Sequence, residues 1–480
     1  MTGADDIADA ADRPAQAGRI WLQLIEKEAR CRLLEAQLAE LQGSKSWRIT
    51  APLRALAARR RQWAPLPSAR PALRAAATSG TAVSWQSLLV EAMKRRGMRA
   101  WLPMQEVAAR YLVDVTELAL EDLGAGVQRV TRSWLLELLL APPQGLGIEP
   151  VRLDDRGDYV LARSFLAQFL GLRDGDLGAD LAFQPHPADR FIGLDFCRDR
   201  AAQLEPALAK LRAVGVPISL VVPDMLPLQH PHWFPQGIAE AMQAWLGVLA
   251  RQVDLAVCIS SDCARNLREQ LAARGLDARR LRMAIVPLGS DLPLAVAAEV
   301  VPPQRSGSTR LLMVGTLEPR KQHAQVLDAF DLMLAHGMDV ELMIVGHPGW
   351  ATEAVTGRIR RHREAGKRLH WLADADDSVL AAAYRSSDLL VMASLGEGFG
   401  LPIGEAARLG CGLLLRDIAV FREVAGDKAE YFSGTEATAL VQAVAEWIQD
   451  RDRALPRAVE GRWSTWEESA ALLKNETITS

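Results

Sequence analysis

The sequence has few cysteines, and those it has lie far apart. Five cysteines occur in 480 residues, and no two of them have the Cys-x-x-Cys spacing that is typical of zinc sites. No stretch of about 18 uncharged apolar residues occurs, which argues against a membrane-spanning helix. The first residues, MTGADDIADAADR, are acidic and have no apolar core, so they do not resemble a secretory signal. These absences predict a cytoplasmic protein without a disulfide framework.

Acidic residues are missing from a long stretch near the start of the chain. Between Glu40 and Glu91 there is no aspartate or glutamate, whereas eight lysines and arginines lie between Lys45 and Arg74. The whole chain has a formal net charge of −3, so the basic segment belongs to an otherwise acidic protein. This asymmetry predicts an anionic surface as partner.

Residues 44–63, SKSWRITAPLRALAARRRQW, predict a short helix with an apolar face and several arginines, flanked by Trp47 and Trp63. Such a helix can lie in a lipid interface, with its tryptophans at headgroup level and its arginines on anionic lipid. We therefore expect residues 44–74 to bind an anionic membrane surface. The alternative is a solvated basic linker. Nucleic acid is not expected as a partner, because no nucleic-acid-binding fold accompanies the arginines.

The apolar residues that precede this segment follow a heptad spacing. From Ile20 to Leu41 they recur in steps of three and four, with Lys27 at one core position. The pattern predicts a short coiled coil and self-association through residues 20–41. The alternative is a single amphipathic helix that lies on the body of the protein. We assign residues 1–100 to a disordered start, this helix and the basic linker.

The remainder of the chain alternates short apolar runs with helical patterns. RFIGLDF, PISLVVPD and DLAVCIS predict buried strands in one half, and RLLMVG, VELMIVG and DLLVMAS predict them in the other. Strands that alternate with helices indicate an α/β fold with parallel sheets. We predict two doubly wound, Rossmann-like domains at residues 101–295 and 305–480, with a ligand-binding cleft between them and the last helices packing back across it.

The stretch SLGEGFGLPIGEAARLG directly follows the predicted strand DLLVMAS and is the most informative part of the sequence. Glu397 lies in its glycine-rich loop, and Glu405 lies eight residues later in the next helix. Gly398 and Gly400 allow backbone amides to approach a ligand closely. The helix N-terminus then offers free N–H groups to an anion. One carboxylate from the loop and one from the helix can bind two different sugar rings of one nucleotide sugar. The alternative is a glycine-rich turn with a solvated glutamate.

A second loop, in VGTLEPRKQHAQ, follows the first predicted strand of the second domain. It contains Arg320 and Lys321, two adjacent cations that can neutralise a diphosphate. Because both loops follow strands of one parallel sheet, we expect them to share the cleft.

These segments resemble retaining glycosyltransferases of family 4, which have the GT-B fold. The family's two glutamates, separated by seven residues, are matched by Glu397 and Glu405, and its Arg–Lys pair is matched by Arg320 and Lys321. The resemblance covers about residues 110–475. YLVDVTEL, GVQRVTRSWLLELL and VPDMLPLQHPHWFP resemble the bacterial surface-polysaccharide branch, which includes mannosyltransferases. SWRITAPLR resembles a motif found beside coiled coils in polysaccharide-assembly proteins.

The resemblance implies a role for each matched residue. Glu405 would bind the nucleotide ribose. Glu397, with the amides of Phe399 and Gly400, would bind hydroxyls of the transferred sugar. Arg320 and Lys321 would stabilise the departing diphosphate, and Asp224 would lie on the acceptor side. The implied catalytic residues are therefore Glu397, Arg320, Lys321 and Asp224, and the implied donor-binding residues are Glu405, Gly398, Phe399, Gly400, Leu401, Gly315, Gly124 and Gly126.

Some polar residues invite other interpretations. Asp374 and Asp376 have the spacing of a metal-binding Asp-x-Asp motif, but we expect Asp376 or Asp377 to cap the following helix instead. We therefore expect no catalytic metal and no cofactor beyond the donor substrate. His230 and His232 are candidate general bases, although a histidine in a proline-rich loop is more often structural. We expect Trp233 and Phe234 to pack in the core rather than on an acceptor sugar.

The resemblance implies a glycosyltransferase that uses a nucleotide sugar, with GDP-mannose as the expected donor. Its expected acceptor is a lipid-linked oligosaccharide of bacterial O-antigen or capsule, at the inner face of the cytoplasmic membrane. One alternative is a sugar-nucleotide epimerase of the same fold, which would need no acceptor site. Another is a non-catalytic scaffold tethered to the membrane, against which the intact Glu397, Glu405, Arg320 and Lys321 argue.

Overall fold

The computed structural model describes residues 109–122, 124, 126–172, 177–292, 301–449 and 463–478. The predicted coiled coil at residues 20–41 and the predicted membrane-binding segment at residues 44–74 lie outside these ranges, as does the rest of the region 1–100. None of the helices in the described ranges combines the length and the apolar character needed to cross a membrane.

The first half of the described chain forms an eight-stranded sheet in the order β4-β3-β2-β1-β5-β6-β7-β8. Its strands pair in parallel except at the edge, where β3 is antiparallel to both β2 and β4. The elements are β1 Arg110–Asp114, α1 Thr116–Leu120, α2 Gly126–Leu140, β2 Gly147–Leu153, β3 Tyr159–Leu161, α3 Arg163–Phe169, β4 Leu181–Ala182, β5 Arg190–Gly193, α4 Ala201–Val214, β6 Ile218–Val222, α5 Leu226–Gln229, α6 Ile238–Gln252, β7 Leu255–Cys258, α7 Ser261–Ala273 and β8 Arg282–Ile285.

The second half forms a six-stranded sheet in the order β11-β10-β9-β12-β13-β14, and all its strands are parallel. The elements are β9 Thr309–Val314, α8 His323–Ala335, β10 Val340–Val345, α9 Glu353–Arg361, β11 Leu369–Leu372, α10 Asp377–Arg385, β12 Leu389–Met392, α11 Leu401–Arg408, β13 Gly412–Arg416, α12 Ala419–Ala425, β14 Glu430–Phe432, α13 Ala437–Gln449 and α14 Trp466–Ile478. Both sheets belong to one unit of the structure, Ala64–Ser480.

The central strands of both sheets are buried along their whole length. All residues of β6, β10 and β12 are buried, because helices cover both faces of each sheet. This is why these strands consist mostly of apolar residues, with only Ser219 and Glu341 interrupting them, rather than alternating apolar and polar residues. Strands β2, β3, β4 and β14 were not predicted from the sequence. Of these, β2 contains Glu149 and Pro150, β3 and β14 have three residues each, and β4 has two, so none of them gives a long apolar run.

The last described helix, α14, follows the second sheet in sequence but packs against the first. The indole Nε1 of Trp134 on α2 donates a hydrogen bond to Ser469 Oγ at 2.9 Å, and the hydroxyls of Tyr111 and Thr477 lie 2.6 Å apart. The Ser290 amide, in the segment after β8, donates to the Ser464 carbonyl at 3.0 Å. The chain therefore passes from the first sheet to the second before β9. After α13 it returns, so that α14 packs against the first sheet.

The contact between α2 and α14 buries a carboxylate, Glu137, which is 3% exposed. The pKa of Glu137 is raised to about 7, mainly by burial and also by the nearby carboxylates of Asp291 and Glu467, while Lys474 opposes the rise. Since the folded protein holds this proton more tightly than the unfolded chain does, this site costs stability as the pH rises from about 4.5 to about 7.

We predict that Glu137→Gln, which keeps the shape of the neutral acid, raises the free energy of unfolding at pH 8.5 by about 1–3 kcal/mol. The gain should shrink to less than about 1 kcal/mol at pH 5, where the native carboxyl is already protonated. Urea unfolding at both pH values measures it, with the exposed Glu240→Gln as control. A gain that does not change with pH would contradict the assignment.

Candidate active site

Two loops of the second sheet meet at the carboxyl ends of neighbouring strands. One loop follows β9 and contains Arg320 and Lys321, and the other follows β12 and contains Glu397. Because β9 and β12 are paired in parallel, both loops emerge at the same edge. The backbone joins them, since the Leu395 amide donates to the Arg320 carbonyl at 2.8 Å. The topology thus brings together residues that lie more than seventy positions apart in sequence.

The side chains of these loops form a cluster of buried ion pairs. Arg320 Nη1 donates to Glu397 Oε2 at 2.9 Å and to the Gly396 carbonyl at 2.8 Å. Lys321 Nζ donates to the other carboxylate oxygen, Glu397 Oε1. The three side chains are only 14%, 12% and 9% exposed, respectively. Glu397 therefore lies between two cations, each of which is paired with one of its oxygens.

This arrangement keeps Glu397 ionised. Burial alone raises the pKa of the carboxyl, but the charges of Lys321 and Arg320 outweigh that effect and lower it to about 2. Burial lowers the pKa of Arg320, but the charges of Glu397, Glu318 and Asp224 outweigh that effect and raise it. Glu397 is therefore held as a carboxylate between Arg320 and Lys321.

Glu318 is a member of the cluster that our sequence analysis did not identify. Its Oε1 lies 2.6 Å from Arg320 Nη2, and its side chain is 4% exposed. Burial raises the pKa of Glu318, while the charges of Arg320 and Lys321 lower it. Glu318 could have been identified from the sequence, because it lies only two residues before Arg320. A buried cation needs a nearby anion when no ligand is present.

Gly398 lies where the second-sheet loop contacts the first sheet. A Cβ atom added to Gly398 would lie 2.0 Å from the Pro223 carbonyl oxygen and 3.2 Å from the Asp224 Cβ. The Ser260 hydroxyl, at the start of α7, donates to the Gly398 carbonyl at 2.7 Å. Gly398 is therefore required by close packing between the sheets.

The remaining residues of this loop lead into helix α11. Gly400 has a φ of +98°, a conformation that glycine adopts far more easily than other residues, and α11 begins at Leu401. Phe399 is partly buried between the two glycines. The structure thus places Gly398, Phe399, Gly400 and Leu401 at a helix N-terminus beside the ion cluster, where backbone N–H groups favour an anion.

Glu405 lies inside α11 and is 1% exposed. Tyr384 on α10 donates its hydroxyl proton to Glu405 Oε2 at 2.8 Å. Arg129 on α2 of the first sheet donates from Nη2 to Glu405 Oε1 at 2.7 Å. Our sequence analysis identified neither partner. Arg129 could have been identified from its position in GVQRV. It lies one helical turn after Gly124 and Gly126, which we had assigned to donor binding.

Asp224 follows β6 and points to the same region from the first sheet. Its Oδ1 accepts a hydrogen bond from the Leu226 amide at 2.9 Å. Burial raises the pKa of Asp224, and the charge of Arg320 opposes that rise. Asp224 is therefore close enough to Arg320 of the second sheet for the two charges to interact.

The three other predicted glycines occupy different positions. Gly315 has a φ of +137° and lies beneath Lys321, since an added Cβ would be 3.4 Å from Nζ. Gly124 is exposed with a φ of +66°, and its amide donates to Asp122 Oδ1 at 3.1 Å. Gly126 begins α2, the helix that carries Arg129. Gly315 thus lies against the cluster. Gly124 and Gly126 lie at the start of α2, the helix whose Arg129 reaches Glu405.

Asp376 caps helix α10, as predicted. Its Oδ1 accepts hydrogen bonds from the amides of Ser378 and Val379, each at 2.9 Å, whereas Asp374 is 94% exposed beside His347. Over the residues that the structure describes, no three histidine, cysteine, aspartate or glutamate side chains are grouped to bind a metal ion.

The aromatic residues after Asp224 lie between the two sheets. Trp233 and Phe234 are partly buried, which differs from the core packing that we predicted. Trp350 of the second sheet donates from Nε1 to the Trp233 carbonyl at 2.9 Å, and its ring stacks on Phe234 with centroids 5.7 Å apart. His230 stacks on Trp233 at 3.9 Å, and burial lowers its pKa. These contacts help to hold the sheets together at the cleft.

Comparisons with known proteins agree with this geometry. Residues 299–460 match the family model described as "Glycosyl transferases group 1". Serotype-specific mannosyltransferase WbdA of Escherichia coli is 35% identical over 381 residues, covering 77% of this chain and 46% of that protein. Phosphatidyl-myo-inositol mannosyltransferase of Mycobacterium tuberculosis is 36% identical over 171 residues, covering 35% of this chain and 42% of that protein. The chain therefore spans about half the length of the curated relatives it matches.

Solved structures share the fold. HepE of Anabaena, in complex with UDP and glucose, aligns with a TM-score of 0.54 and 14% identity, covering 77% of this chain and 99% of that one. Sucrose-phosphate synthase of Thermosynechococcus elongatus aligns with a TM-score of 0.52 and 17% identity, covering 77% and 98%. The predicted α/β fold with two parallel-sheet domains of GT-B type is confirmed, as is the resemblance to glycosyltransferases.

We predict that Gly398→Ala lowers the free energy of unfolding by about 1–3 kcal/mol, because the methyl group cannot be placed without moving the loop away from Pro223. The control is Gly126→Ala, whose added Cβ meets nothing within 4 Å at a helix start. Urea unfolding of both variants measures the difference. If both variants unfold like the wild type, the close contact between the two sheets is not present in solution.

Proposed function

Since residues 299–460 belong to the glycosyl transferases group 1 family and the chain has the GT-B fold, we propose that it is a retaining mannosyltransferase. It takes mannose from GDP-mannose and adds it to a lipid-linked glycan in the synthesis of a bacterial surface polysaccharide. Mannose is supported by the names of the relatives, which include an O-antigen chain mannosyltransferase of Escherichia coli. The lipid-linked acceptor is supported by the phosphatidyl-inositol enzyme among them.

The observation that carries the proposal is the buried cluster of Arg320, Lys321 and Glu397 at the carboxyl edge of the second sheet, facing Asp224 of the first. Glycosyl transfer builds positive charge on the sugar and negative charge on the leaving diphosphate. Cations fixed in a site with little water stabilise the developing negative charge without having to rearrange. Glu397, which stays ionised, is placed to accept hydrogen bonds from hydroxyls of the transferred sugar.

The neighbouring residues then take complementary roles. Glu405, held by Tyr384 in the buried part of α11, accepts hydrogen bonds from the ribose of the donor. The amides at Phe399 and Gly400 lie at the start of the same helix and bind the donor's sugar. Asp224 orients the acceptor hydroxyl from the opposite side. Retention follows if that hydroxyl attacks on the face from which the diphosphate departs, which requires no covalent nucleophile.

The charge on the diphosphate is matched by protein side chains in this proposal. Arg320 and Lys321 supply two positive charges, and the N-terminus of α11 adds a partial one. We therefore propose that transfer needs no divalent metal ion and no other cofactor.

We predict that the double variant Arg320→Ala with Lys321→Ala loses turnover by about 10²–10³-fold, because two cations at the leaving group are removed. The assay uses GDP-mannose, with UDP-glucose and other nucleotide sugars as competing donors, a lipid-linked mannosyl acceptor, and product analysis that reports the anomeric configuration. Mannose transferred with retention from GDP-mannose is the expected wild-type result.

Two controls accompany this assay. Replacing the surface cation Arg279 by alanine should leave turnover unchanged, since Arg279 is 89% exposed and pairs with Asp277. The wild-type assay with excess EDTA should retain full activity. Wild-type turnover in the double variant would contradict the proposed role of the cations. Loss of activity in EDTA with rescue by manganese would contradict the metal-free mechanism.

We also propose that the protein acts at the inner face of the cytoplasmic membrane, held there by residues 44–74. At roughly 1 kcal/mol per basic residue near an anionic leaflet, half of the eight cations of this segment suffice to hold it at the surface. The acceptor is lipid-linked, so such binding raises the local concentration of enzyme and substrate. Self-association through residues 20–41 would give a dimer that carries two membrane-binding segments.

Deleting residues 1–80 should release the protein from anionic liposomes and lower its activity on a lipid-linked acceptor. Activity on a short water-soluble acceptor should persist, because every proposed site residue lies at or beyond Gly124. Co-sedimentation with liposomes at low and high salt measures binding, and light scattering of the same two proteins measures self-association. Equal co-sedimentation of the full-length and shortened proteins would mean that the basic segment does not bind membrane.

A further inference from the structure

Arg129 connects the two sheets through the carboxylate to which we assign ribose binding. It lies in the first turns of α2, on the first sheet, and its partners Glu405 and Asp377 both lie on the second. The distances are 2.7 Å from Nη2 to Glu405 Oε1 and 3.4 Å from Nε to Asp377 Oδ1. Arg129 is 19% exposed, Glu405 1% and Asp377 37%. The contact with Glu405 is thus the well-buried one.

The two oxygens of Glu405 have different partners. Oε2 accepts from Tyr384, which is fully buried within the second sheet and is fixed there. Oε1 accepts from Arg129, which reaches it across the cleft. Glu405 is 1% exposed, so a ribose hydroxyl reaches it only if a group that covers it moves away. Arg129 is the partner that comes from the other sheet, so donor binding, on the function proposed above, displaces the guanidinium from Oε1.

A displaced Arg129 needs another anion. Burial lowers its pKa, but the charges of Glu405 and Asp377 outweigh burial and raise it, so the side chain stays protonated. Asp377 is more than one-third exposed and offers a weak, solvent-screened partner. The start of α2 at Gly126 lies one turn away, where the helix N-terminus also favours negative charge. A diphosphate at that place would meet both the helix N-terminus and the released guanidinium.

We propose that Arg129 is a donor-binding residue that exchanges its carboxylate partner, Glu405, for the diphosphate of the nucleotide donor. The inference rests on the proposed function, because it takes the ligand to be a nucleoside diphosphate. It adds a third cation to Arg320 and Lys321, and this cation comes from the opposite sheet. In the free protein Arg129 holds the sheets together through Glu405, and in the complex it does so through the donor.

The variant Arg129→Gln distinguishes donor binding from a purely structural role of Arg129. The proposed new contact is with the phosphates of the donor and not with its nucleoside. We expect the affinity for GDP to fall at least tenfold, while the affinity for guanosine, which has no phosphate, stays the same or rises as Glu405 loses its competitor. Titration calorimetry with GDP, GMP and guanosine measures all three, and UDP and ADP serve as probes if another base is preferred. Arg129→Lys, which keeps the charge, should lose less GDP affinity than Arg129→Gln.

The matched control is Arg251→Gln, which removes a solvent-accessible arginine–glutamate pair, with Glu205, between helices α6 and α4 of the first sheet. It should bind GDP like the wild type. Unchanged or tighter GDP binding by Arg129→Gln would overturn the inference, as would an equal loss of GDP and guanosine affinity, which indicates support of Glu405 alone. If the wild type binds none of the nucleoside diphosphates, the proposed function fails before this inference is reached.

Discussion

Glu397 is buried between Arg320 and Lys321, and the site as a whole depends on this arrangement. A carboxylate removed from water is stable only where nearby cations and hydrogen-bond donors compensate for the lost hydration. The two cations fulfil that condition, but they are themselves buried, and Glu318 and Asp224 balance their charge in turn. A cluster of this kind holds its members in place before any ligand arrives. Stabilising a leaving diphosphate requires such preorganisation.

The cluster also explains why the two sheets lie so close together. Asp224 can balance the charge of Arg320 only if the first sheet reaches the second-sheet loop, and Gly398 allows that approach by lacking a side chain. Further contacts secure it, since Glu423 accepts from the amides of Ser261 and Asp262 at the start of α7 at 2.6 and 2.9 Å. The packing of α14 on α2 adds a further contact between the two halves of the described chain.

The sequence predicted those features that depend on local pattern. DLLVMAS and RLLMVG each contain a run of apolar residues, and both became largely buried parallel strands, with the predicted loops at their carboxyl ends. Glu397, Arg320 and Lys321 met because neighbouring parallel strands deliver their loops to one edge. The predicted cap at Asp376 needed only the three residues that follow it. The short strand β4, with two exposed residues, offered no such pattern.

Features that depend on contacts between distant residues were not accessible in this way. Arg129 and Glu405 are separated by 276 positions, and nothing in GVQRV indicates which carboxylate its arginine will meet. Trp233 and Phe234 were assigned to the core because large aromatic residues usually pack there. Their partner, Trp350, lies on the other sheet and places them at the cleft instead. In both cases the outcome depends on how the two sheets face each other.

The most direct test of the account is a crystal structure of the protein with bound GDP. The account predicts that the diphosphate lies within hydrogen-bond distance of Arg320 and Lys321, beside the start of α11, and that the ribose hydroxyls contact Glu405. It also predicts that at least one of the two cations moves from Glu397 toward the phosphates. GDP bound elsewhere, with Arg320 and Lys321 still paired to Glu397 as in the free protein, would contradict the assignment of this cluster as the donor site.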